Sequence, residues 1–187
     1  RERAHRTECA YMAHSGNEDA MGEAVIRLVA LGHRKIGFIN GGMQYTYGTL
    51  RRDGFLSAMD DAKLVPDSIH MAEGAVTISG GAEAAHRMLK TQSPPTAIVC
   101  AVDMAALGVY RAAAGLGLSI GSDLSVISYD GIPEGANLAP PLSTFAVDFT
   151  ASGKRLSDLL IQRIRGVDLE YLRETVPAAY LDRGSAG

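Results

Sequence analysis

The stretch DLSVISYDGIPEGANLAPPLSTFAVDF, from Asp123 to Phe149, decides how this chain folds. Its first part is a short apolar run, 124–128, that ends abruptly in a Tyr-Asp-Gly sequence around Asp130. A polar loop containing Gly and Pro follows, and it leads into a second β-type run that closes the stretch. Open α/β sheets bind ligands outside the carboxyl ends of their parallel strands. A buried strand that delivers a carboxylate to a loop therefore predicts a binding site at Asp130.

Apolar runs alternate with helical segments along the whole chain. The helical segments carry apolar residues every three or four positions, and they stop near Gly or Pro, as at Gly32 and Pro94. Helices that separate short apolar strands predict an α/β fold, with a parallel sheet and helices on both faces. Strands are expected at 10–13, 36–39, 69–71, 97–101, 125–128 and 179–184, and helices at about 16–31, 46–61, 79–89, 103–116 and 151–165.

The composition excludes several classes of protein. The chain has 187 residues, a formal net charge of −3 and no block of Lys or Arg, so it lacks the basic surface of a nucleic-acid-binding domain. With no Trp and four Phe, it also lacks an extended aromatic platform for single strands. No apolar run reaches the ~20 residues that a membrane-spanning helix needs. We therefore expect a cytoplasmic protein without a membrane partner.

The two cysteines are expected to stay reduced. Cys9 and Cys100 lie in apolar surroundings far apart in the sequence, which is typical of small core residues in a cytosolic protein. A single disulfide is the alternative. The first residues are polar, and Arg1 stands where an initiator Met would be. We therefore expect the sequence to be a fragment whose upstream part is absent.

Motifs of enzymes are weak or missing in this sequence. Gly41-Gly42-Met43 separates a strand from a helix, yet it fits neither the G-x-G-x-x-G pattern nor a Walker loop. A plain turn is the preferred interpretation, and an anionic or hydroxylated ligand at the following helix N-terminus stays open. There is no nucleophile elbow, the five His are not spaced as metal ligands, and His33 is attributed to the helix dipole. We expect no catalytic residue, cofactor or metal.

Three charged residues stand out near the predicted strand ends. Asp103 follows a central apolar strand and is interpreted first as the N-cap of the next helix, with ligand contact as a second role. Asp130 has no strong helix start to cap, so its carboxylate is expected to accept hydrogen bonds from hydroxyl groups or to pair with a cation. Arg51 is the candidate partner or ligand clamp, because a guanidinium offers forked donors. The alternative for Arg51 is a solvated helix charge beside Arg52.

Several segments, taken together, resemble one protein family. The segments are LVALGHRKI at 28–36, RRDGF at 51–55, PTAIVCAVDMAALG at 95–108, the stretch 123–149 and LDRGS at 181–185. In this order they are similar to the effector-binding domain of the lactose/galactose repressor family (LacI/GalR) of bacterial transcription regulators. The resemblance covers nearly the whole chain, and the motifs are specific when taken jointly.

The resemblance implies a periplasmic-binding-protein-like fold of type I, in which two α/β subdomains close on a small ligand. The chain would hold the C-terminal subdomain and part of the N-terminal one, and Asn17, Val147 and Asp148 would lie at hinge crossings. The implied parts are 1–16, a remnant of the N-terminal subdomain with the first crossing; 17–147, the C-terminal subdomain; 148–173, a helix of the N-terminal subdomain; and 174–187, a returning strand and tail.

The resemblance also assigns a ligand-binding set. The clamp arginine of the family falls on Arg51, its hydroxyl-binding aspartate on Asp130, and Phe149 falls at an apolar wall. Val102 stands where the family often has Asn, and Val76 stands where many members have an aromatic residue that stacks on a sugar. The pocket would therefore be less polar or roomier than in those members. The implied set is Tyr47, Arg51, Val76, Val102, Asp103, Asp130 and Phe149.

In function, the resemblance implies the ligand-sensing domain of a transcription regulator. A small effector, expected to be a sugar, would bind between the subdomains and modulate operator binding by a helix-turn-helix headpiece that is not in this sequence. The regulator would act as a homodimer and would not be an enzyme. Two alternatives stay open: a periplasmic sugar-binding protein of a transporter, and an α/β enzyme that uses a nucleotide or a sugar phosphate.

Overall fold

A computed structural model describes residues 12–14 and 16–187. Contacts divide the chain into two compact units. The larger unit contains residues 17–146 and 179–187, and the smaller one contains residues 147–178 with the described residues up to 16. Cys9 and the beginning of the strand expected at 10–13 lie outside the described residues. The strands are β1 (Met12–His14), β2 (Ile36–Ile39), β3 (Met71–Ala72), β4 (Ala97–Cys100), β5 (Ser125–Asp130), β6 (Ser143–Ala146), β7 (Arg173–Thr175) and β8 (Ala179–Leu181), and the helices are α1 (Asn17–Ala30), α2 (Thr46–Asp61), α3 (Ile78–Leu89), α4 (Asp103–Gly115) and α5 (Phe149–Ile164).

The larger unit is built on a six-stranded sheet with the order β3-β2-β4-β5-β6-β8. The first five strands in this order are parallel to their neighbours, and β8 pairs antiparallel with β6 at the edge. The predicted α/β fold with a mostly parallel sheet is therefore confirmed. The antiparallel edge strand was not expected, although such a strand is a common addition to a parallel sheet.

Both faces of this sheet are covered, as two neighbouring residues of β2 show. Phe38 stacks on Phe55 of α2, with ring centroids 4.5 Å apart. Ile39 belongs to a buried apolar cluster to which α3 and α4 contribute Ala85, Val109 and other residues. Successive side chains of a strand point to opposite faces, so α2 covers one face, and α3 and α4 cover the other. α1 packs against α2.

Glycines allow the helices of each pair to pack closely. A Cβ on Gly54 of α2 would lie 2.2 Å from the carbonyl oxygen of Glu18 in α1. A Cβ on Gly108 of α4 would lie 2.2 Å from the carbonyl oxygen of Ile78 in α3. In both helix pairs, backbone therefore occupies the space that any larger residue would need.

Several elements differ from the sequence expectation, among them the final strand, which ends at Leu181 and not at 184. α5 begins at Phe149 and not at 151, because the Asp148 side chain accepts a hydrogen bond from the Ala151 amide (2.8 Å) and caps the helix. Residues 68–70 form a 3₁₀ turn, so β3 begins at Met71 and not at 69 as expected. β7, which pairs in parallel with β1 in the smaller unit, was not predicted.

His33 ties the end of α1 to the start of the sheet, which corrects its assignment to the helix dipole. Its ring nitrogens lie 2.8 Å from Thr96 Oγ1 and 2.9 Å from Ser125 Oγ, and Nε2 lies 3.2 Å from the carbonyl oxygen of Gly187. Burial lowers the pKa of His33. A neutral ring satisfies these partners, whereas the dipole interpretation required a cation.

Two expectations drawn from composition can be followed in the structure. Cys100 is a free, buried thiol in β4, and burial raises the pKa of this thiol above its ordinary value. None of the helices in the described part of the chain is long and apolar enough to cross a membrane.

Candidate functional site

The candidate site lies at the carboxyl edge of the six-stranded sheet, where β5 ends in Asp130. Asp130 has a φ of 130°, which few residues other than Gly adopt, and Gly131 has a φ of 81°. A Cβ on Gly131 would lie 2.5 Å from the Cβ of Ala146 in the neighbouring strand β6. The turn after β5 is thus held in an uncommon conformation. Uncommon backbone conformations concentrate at functional sites.

Arg51 lies inside this edge and is 6% exposed, so the interpretation as a solvated helix charge is wrong. Its guanidinium lies 3.7 Å from the Asp130 carboxylate. Nε donates to the side-chain oxygen of Asn17 (2.7 Å), and Nη1 donates to the carbonyl oxygen of Ala101. The guanidinium also stacks on the buried ring of Tyr129, with Cζ 3.7 Å from the ring centroid. The expected pairing of Arg51 with Asp130 is therefore present in the structure.

Asp103 does not cap α4, as the sequence suggested, but is its first residue. The N-cap is Val102, and it makes no side-chain cap hydrogen bond. The Asp103 carboxylate is fully buried and accepts hydrogen bonds from the amides of Gly131 (2.8 Å) and Ile132 (2.9 Å) and from Thr144 Oγ1 (2.8 Å). Asp103 therefore anchors the turn after β5. The carboxylate does not act as a cap because it accepts hydrogen bonds from two other segments, at 131–132 and at Thr144.

The electrostatics of the edge follow from burial. Burial raises the pKa of Asp130 to about 6, with the Arg51 guanidinium opposing this rise and the Asp103 carboxylate adding to it. Burial also raises the pKa of Asp103, against the hydrogen bonds that it accepts. Of the two carboxyl groups, only that of Asp130 pairs with the buried guanidinium, and a ligand that donates hydrogen bonds to Asp130 would stabilise its charged form.

Aromatic residues at the start of α2 border the pair. The ring centroid of Tyr47 lies 4.9 Å from Cζ of Arg51, and Tyr47 stacks on Tyr45 with centroids 5.4 Å apart and the rings nearly parallel. Tyr45 is about half exposed. The loop before them contains Gly42, whose φ of 109° requires Gly. The preferred interpretation of this loop as a strand-to-helix turn agrees with its position between β2 and α2.

The structure brings some of the predicted residues together and leaves others apart. Asn17, Tyr47, Arg51, Asp103 and Asp130 form one connected group in the larger unit. Val102 is partly buried next to this group, between Ala101 and Asp103, whereas Val76 is exposed before α3. The remaining predicted residues, Val147, Asp148 and Phe149, belong to the smaller unit, where Phe149 is exposed.

Two residues of this group were missed by sequence reasoning. Tyr129 stacks on Arg51, and Thr144 donates to Asp103. The position of Tyr129 beside Asp130 was visible in the sequence, but alternation along β5 does not tell which side chain meets Arg51. Among the described residues, no group of three or more His, Cys, Asp or Glu side chains is placed to hold a metal ion.

Comparison with known proteins assigns the chain to a family. The model of the periplasmic binding protein-like domain family matches residues 25–186. The HTH-type transcriptional repressor PurR of Haemophilus influenzae is 36% identical over 145 residues, which are 78% of this chain and 43% of PurR. The ribose operon repressor of the same species is 35% identical over 144 residues, which are 77% of this chain and 43% of that repressor.

A solved structure shows the same relationship in three dimensions. It is the lac repressor dimer bound to operator and the anti-inducer ONPF, with a TM-score of 0.83 and 30% identity over 92% of this chain and 59% of that chain. The chain therefore belongs to the periplasmic binding protein-like domain family. Within it, the resemblance to the lactose/galactose repressors is confirmed, because these relatives are transcriptional repressors and not enzymes. The chain spans less than half the length of the curated relatives it matches.

Proposed function

We propose that the chain is the effector-binding part of a transcription regulator. A small effector, a sugar, binds at the carboxyl edge of the six-stranded sheet and modulates the operator binding of a helix-turn-helix headpiece in the complete protein. The observation that carries this proposal is the Arg51–Asp130 pair, in which the guanidinium is buried and the carboxylate is 25% exposed. The regulator would act as a homodimer in the cytoplasm.

The chemistry of Asp130 suits a hydroxylated ligand. An ionised carboxylate accepts hydrogen bonds through two oxygens, and a hydrogen bond to a charged group contributes about 1.5–3 kcal/mol. The buried Arg51 guanidinium lies 3.7 Å from the Asp130 carboxylate and partly compensates its negative charge. Because the turn after β5 is anchored by Asp103, the acceptor is preorganised before the effector arrives.

A contact inside the larger unit offers a route for the effect of binding. Arg51 donates to Asn17, which is the first residue of that unit and one of the positions that the family resemblance places at a hinge crossing. An effector that changes the position of Arg51 or Asp130 also changes the hydrogen bond to Asn17. A preference of the effector for one hinge state by about 1–3 kcal/mol would alter operator affinity 5–150-fold.

The names of the relatives support the finer parts of the proposal. One relative is a ribose operon repressor, and the solved lac repressor is a dimer bound to operator and an anti-inducer. A sugar effector, operator DNA and a homodimer are therefore the partners that we propose. A periplasmic sugar-binding protein would bind the sugar at the same site but would not bind DNA. A complete protein that binds sugar and does not bind operator DNA would therefore favour this alternative.

The experiment that tests the proposal measures sugar binding by calorimetry and by thermal shift. D-ribose, D-glucose, D-galactose and maltose are titrated into the chain and into the variant Asp130→Ala. We expect binding of at least one sugar by the parent, loss of that binding in Asp130→Ala, and an unchanged circular dichroism spectrum. Asp60→Ala is the matched control, because Asp60 is an exposed carboxylate on α2. An Asp130→Ala variant that binds as tightly as the parent would overturn the role of Asp130.

A further inference from the structure

A second polar cluster lies in the larger unit and shares no side chain with the Arg51–Asp130 pair. Its members are Asn40, Met43, Arg52 and Glu73. The buried side-chain amide of Asn40 donates to Glu73 Oε2 (2.8 Å) and to the carbonyl oxygen of Gly48 (3.1 Å). Arg52 Nε lies 3.8 Å from Glu73 Oε1. The cluster therefore joins the loop after β2, the beginning of α2 and the segment after β3.

Met43 contributes a weak acceptor to this cluster. Its thioether sulfur lies 3.8 Å from Nδ2 of Asn40 and 3.8 Å from Nη1 of Arg52, so donors from two side chains meet one sulfur atom, which accepts hydrogen bonds poorly. Among the described residues, the buried Nε of Arg52 has no hydrogen-bond partner. Met43 is 41% exposed, so reagents in solution can reach it. The cluster thus places incompletely satisfied donors around an accessible sulfur.

We propose that Met43 is a site of reversible oxidation and that the donors of Asn40 and Arg52 hold its sulfoxide. This inference goes beyond the proposed function, because it involves no effector. Hydrogen peroxide is the oxidant: the sulfur attacks one peroxide oxygen, an S–O bond forms and the O–O bond breaks. Both peroxide protons end on the second oxygen, which leaves as water. The sulfur is oxidised and the peroxide is reduced by one electron pair, and methionine sulfoxide reductases restore the thioether.

The surroundings of Met43 give its sulfoxide an unusual effect. Oxidation of a methionine in an apolar core disrupts the packing, because it makes the side chain polar. The sulfur of Met43 instead faces two polar side chains. An oxygen added on that side shortens the acceptor distance from 3.8 Å towards the ordinary N–H···O range of about 2.7–3.2 Å. Because the Arg52 guanidinium is charged, the new hydrogen bond is a strong one. Oxidation therefore fastens the loop 41–45 to α2.

Peroxide treatment followed by mass spectrometry of peptides tests whether Met43 is modified. Met104 is the internal reference, because it is 39% exposed and lies outside the cluster, and the buried Met59 is the negative reference. We expect sulfoxide at Met43 and Met104 at comparable rates and none at Met59 in the folded chain, since oxidation follows exposure. Methionine sulfoxide reductases should return both residues to the thioether. A Met43 that stays unmodified while Met104 is oxidised would overturn the inference.

Hydrogen exchange measured by NMR tests what the sulfoxide does to the loop. The reporter is the amide of Tyr45, whose hydrogen bond to the carbonyl oxygen of Gly42 is long at 3.4 Å. We expect this amide to exchange about tenfold more slowly in the oxidised chain, because one hydrogen bond to a charged group is gained. Met43→Leu treated with the same peroxide is the matched control, since only Met104 can then react among the two exposed methionines. Unchanged or faster exchange in the oxidised parent, or equal slowing in Met43→Leu, would contradict the proposal.

Two further variants show whether the donors of the cluster cause the slowing. Met43→Gln places an amide oxygen where the sulfoxide oxygen would lie, so we expect slow exchange of the Tyr45 amide without peroxide, and no change in the matched variant Met104→Gln. Arg52→Leu removes the charged donor and keeps Met43 oxidisable. We expect oxidised Arg52→Leu to exchange as fast as its untreated form. Slowing that persists in oxidised Arg52→Leu, or that is absent from Met43→Gln, would overturn the assignment of the sulfoxide to this cluster.

Discussion

Asp103 and Asp130 hold each other's backbone at the carboxyl edge of the sheet. The Asp130 carboxylate accepts a hydrogen bond from the amide of Asp103 (3.4 Å), and the Asp103 carboxylate accepts from the amides of Gly131 and Ile132, which follow Asp130. One carboxylate is fully buried and the other partly exposed. The inner residue therefore fixes the turn, and the outer residue is left to meet a ligand.

Replacing Asp103 by Asn should loosen this turn. Both amides donate to the same oxygen, Oδ2, and Thr144 Oγ1 donates to Oδ1. An Asn side chain can keep its oxygen on the two amides and turn its NH2 group to Thr144, but the acceptor loses its negative charge, and a hydrogen bond to a charged group contributes about 1.5–3 kcal/mol against about 1 kcal/mol for a neutral one. We expect Asp103→Asn to lower the free energy of unfolding by about 1–3 kcal/mol. Urea unfolding measures the loss, and hydrogen exchange measures the protection of the two amides.

Thr144→Val is the comparison for that variant. It removes one donor to Asp103 and leaves the bonds to Gly131 and Ile132 in place. We expect a loss of about 1 kcal/mol and no faster exchange at those amides. If the amides of Asp103→Asn exchange no faster than those of the parent, Asp103 does not position the turn.

The sequence was sufficient for the parts of the site that depend on local pattern. The continuous apolar run 97–101 predicts a parallel strand that is buried on both faces, and the abrupt change at Asp130 after the run 124–128 marks the carboxyl end of another strand. In the structure that end lies beside the ends of β4 and β6, as expected for consecutive parallel strands. These inferences use neighbouring residues and the general geometry of α/β sheets, so they needed no knowledge of tertiary contacts.

Contacts between distant segments could not be predicted in the same way. Arg51 is buried because Asn17 and Asp130 lie on either side of it, 34 and 79 positions away. The position of the Asp103 carboxylate is explained better by its hydrogen bond with Thr144, 41 positions away, than by the local preference of Asp for a helix start. The antiparallel direction of β8 could not be predicted either, because three residues contain no signal for parallel or antiparallel pairing.

The contact between α3 and α4 predicts a strong effect of one methyl group. A Cβ on Gly108 would lie 2.2 Å from the carbonyl oxygen of Ile78 and 2.4 Å from the amide nitrogen of Ala82. Both obstacles are backbone, so the helices must separate. We expect Gly108→Ala to lower the free energy of unfolding by about 1–3 kcal/mol or more, as overpacking does. Urea unfolding by circular dichroism measures it.

The same substitution at Gly115, on the same helix, should behave differently. Nothing lies within 4 Å of a Cβ at Gly115, and its φ is not in the left-handed region. Ala is the better helix former by about 1 kcal/mol in a helix interior, and less is gained at a helix end. We expect Gly115→Ala to be neutral or slightly stabilising. Equal destabilisation by the two substitutions would show that Gly108 is not a packing requirement.

The raised pKa of Asp130 predicts how stability depends on pH. An ordinary Asp has a pKa of 3.8, and burial raises that of Asp130 to about 6. Between these values the folded chain binds more protons than the unfolded chain, so the free energy of unfolding falls as pH rises from about 4 to about 6. Above pH 6 the cost of the buried charge is fully present, and it amounts to roughly 1–3 kcal/mol when partial exposure is taken into account.

Asp130→Asn removes this titration and isolates it from that of all other carboxyl groups. We expect the stability of the parent minus that of Asp130→Asn to decrease by roughly 1–3 kcal/mol between pH 4 and pH 7. Urea unfolding at unit steps of pH measures the difference, with Asp60→Asn as the control for an exposed carboxylate. A difference that stays flat or increases with pH would mean that the folded chain does not raise the pKa of Asp130. A sugar that needs the ionised carboxylate should also bind more weakly below pH 6, and its binding should recover as Asp130 loses its proton.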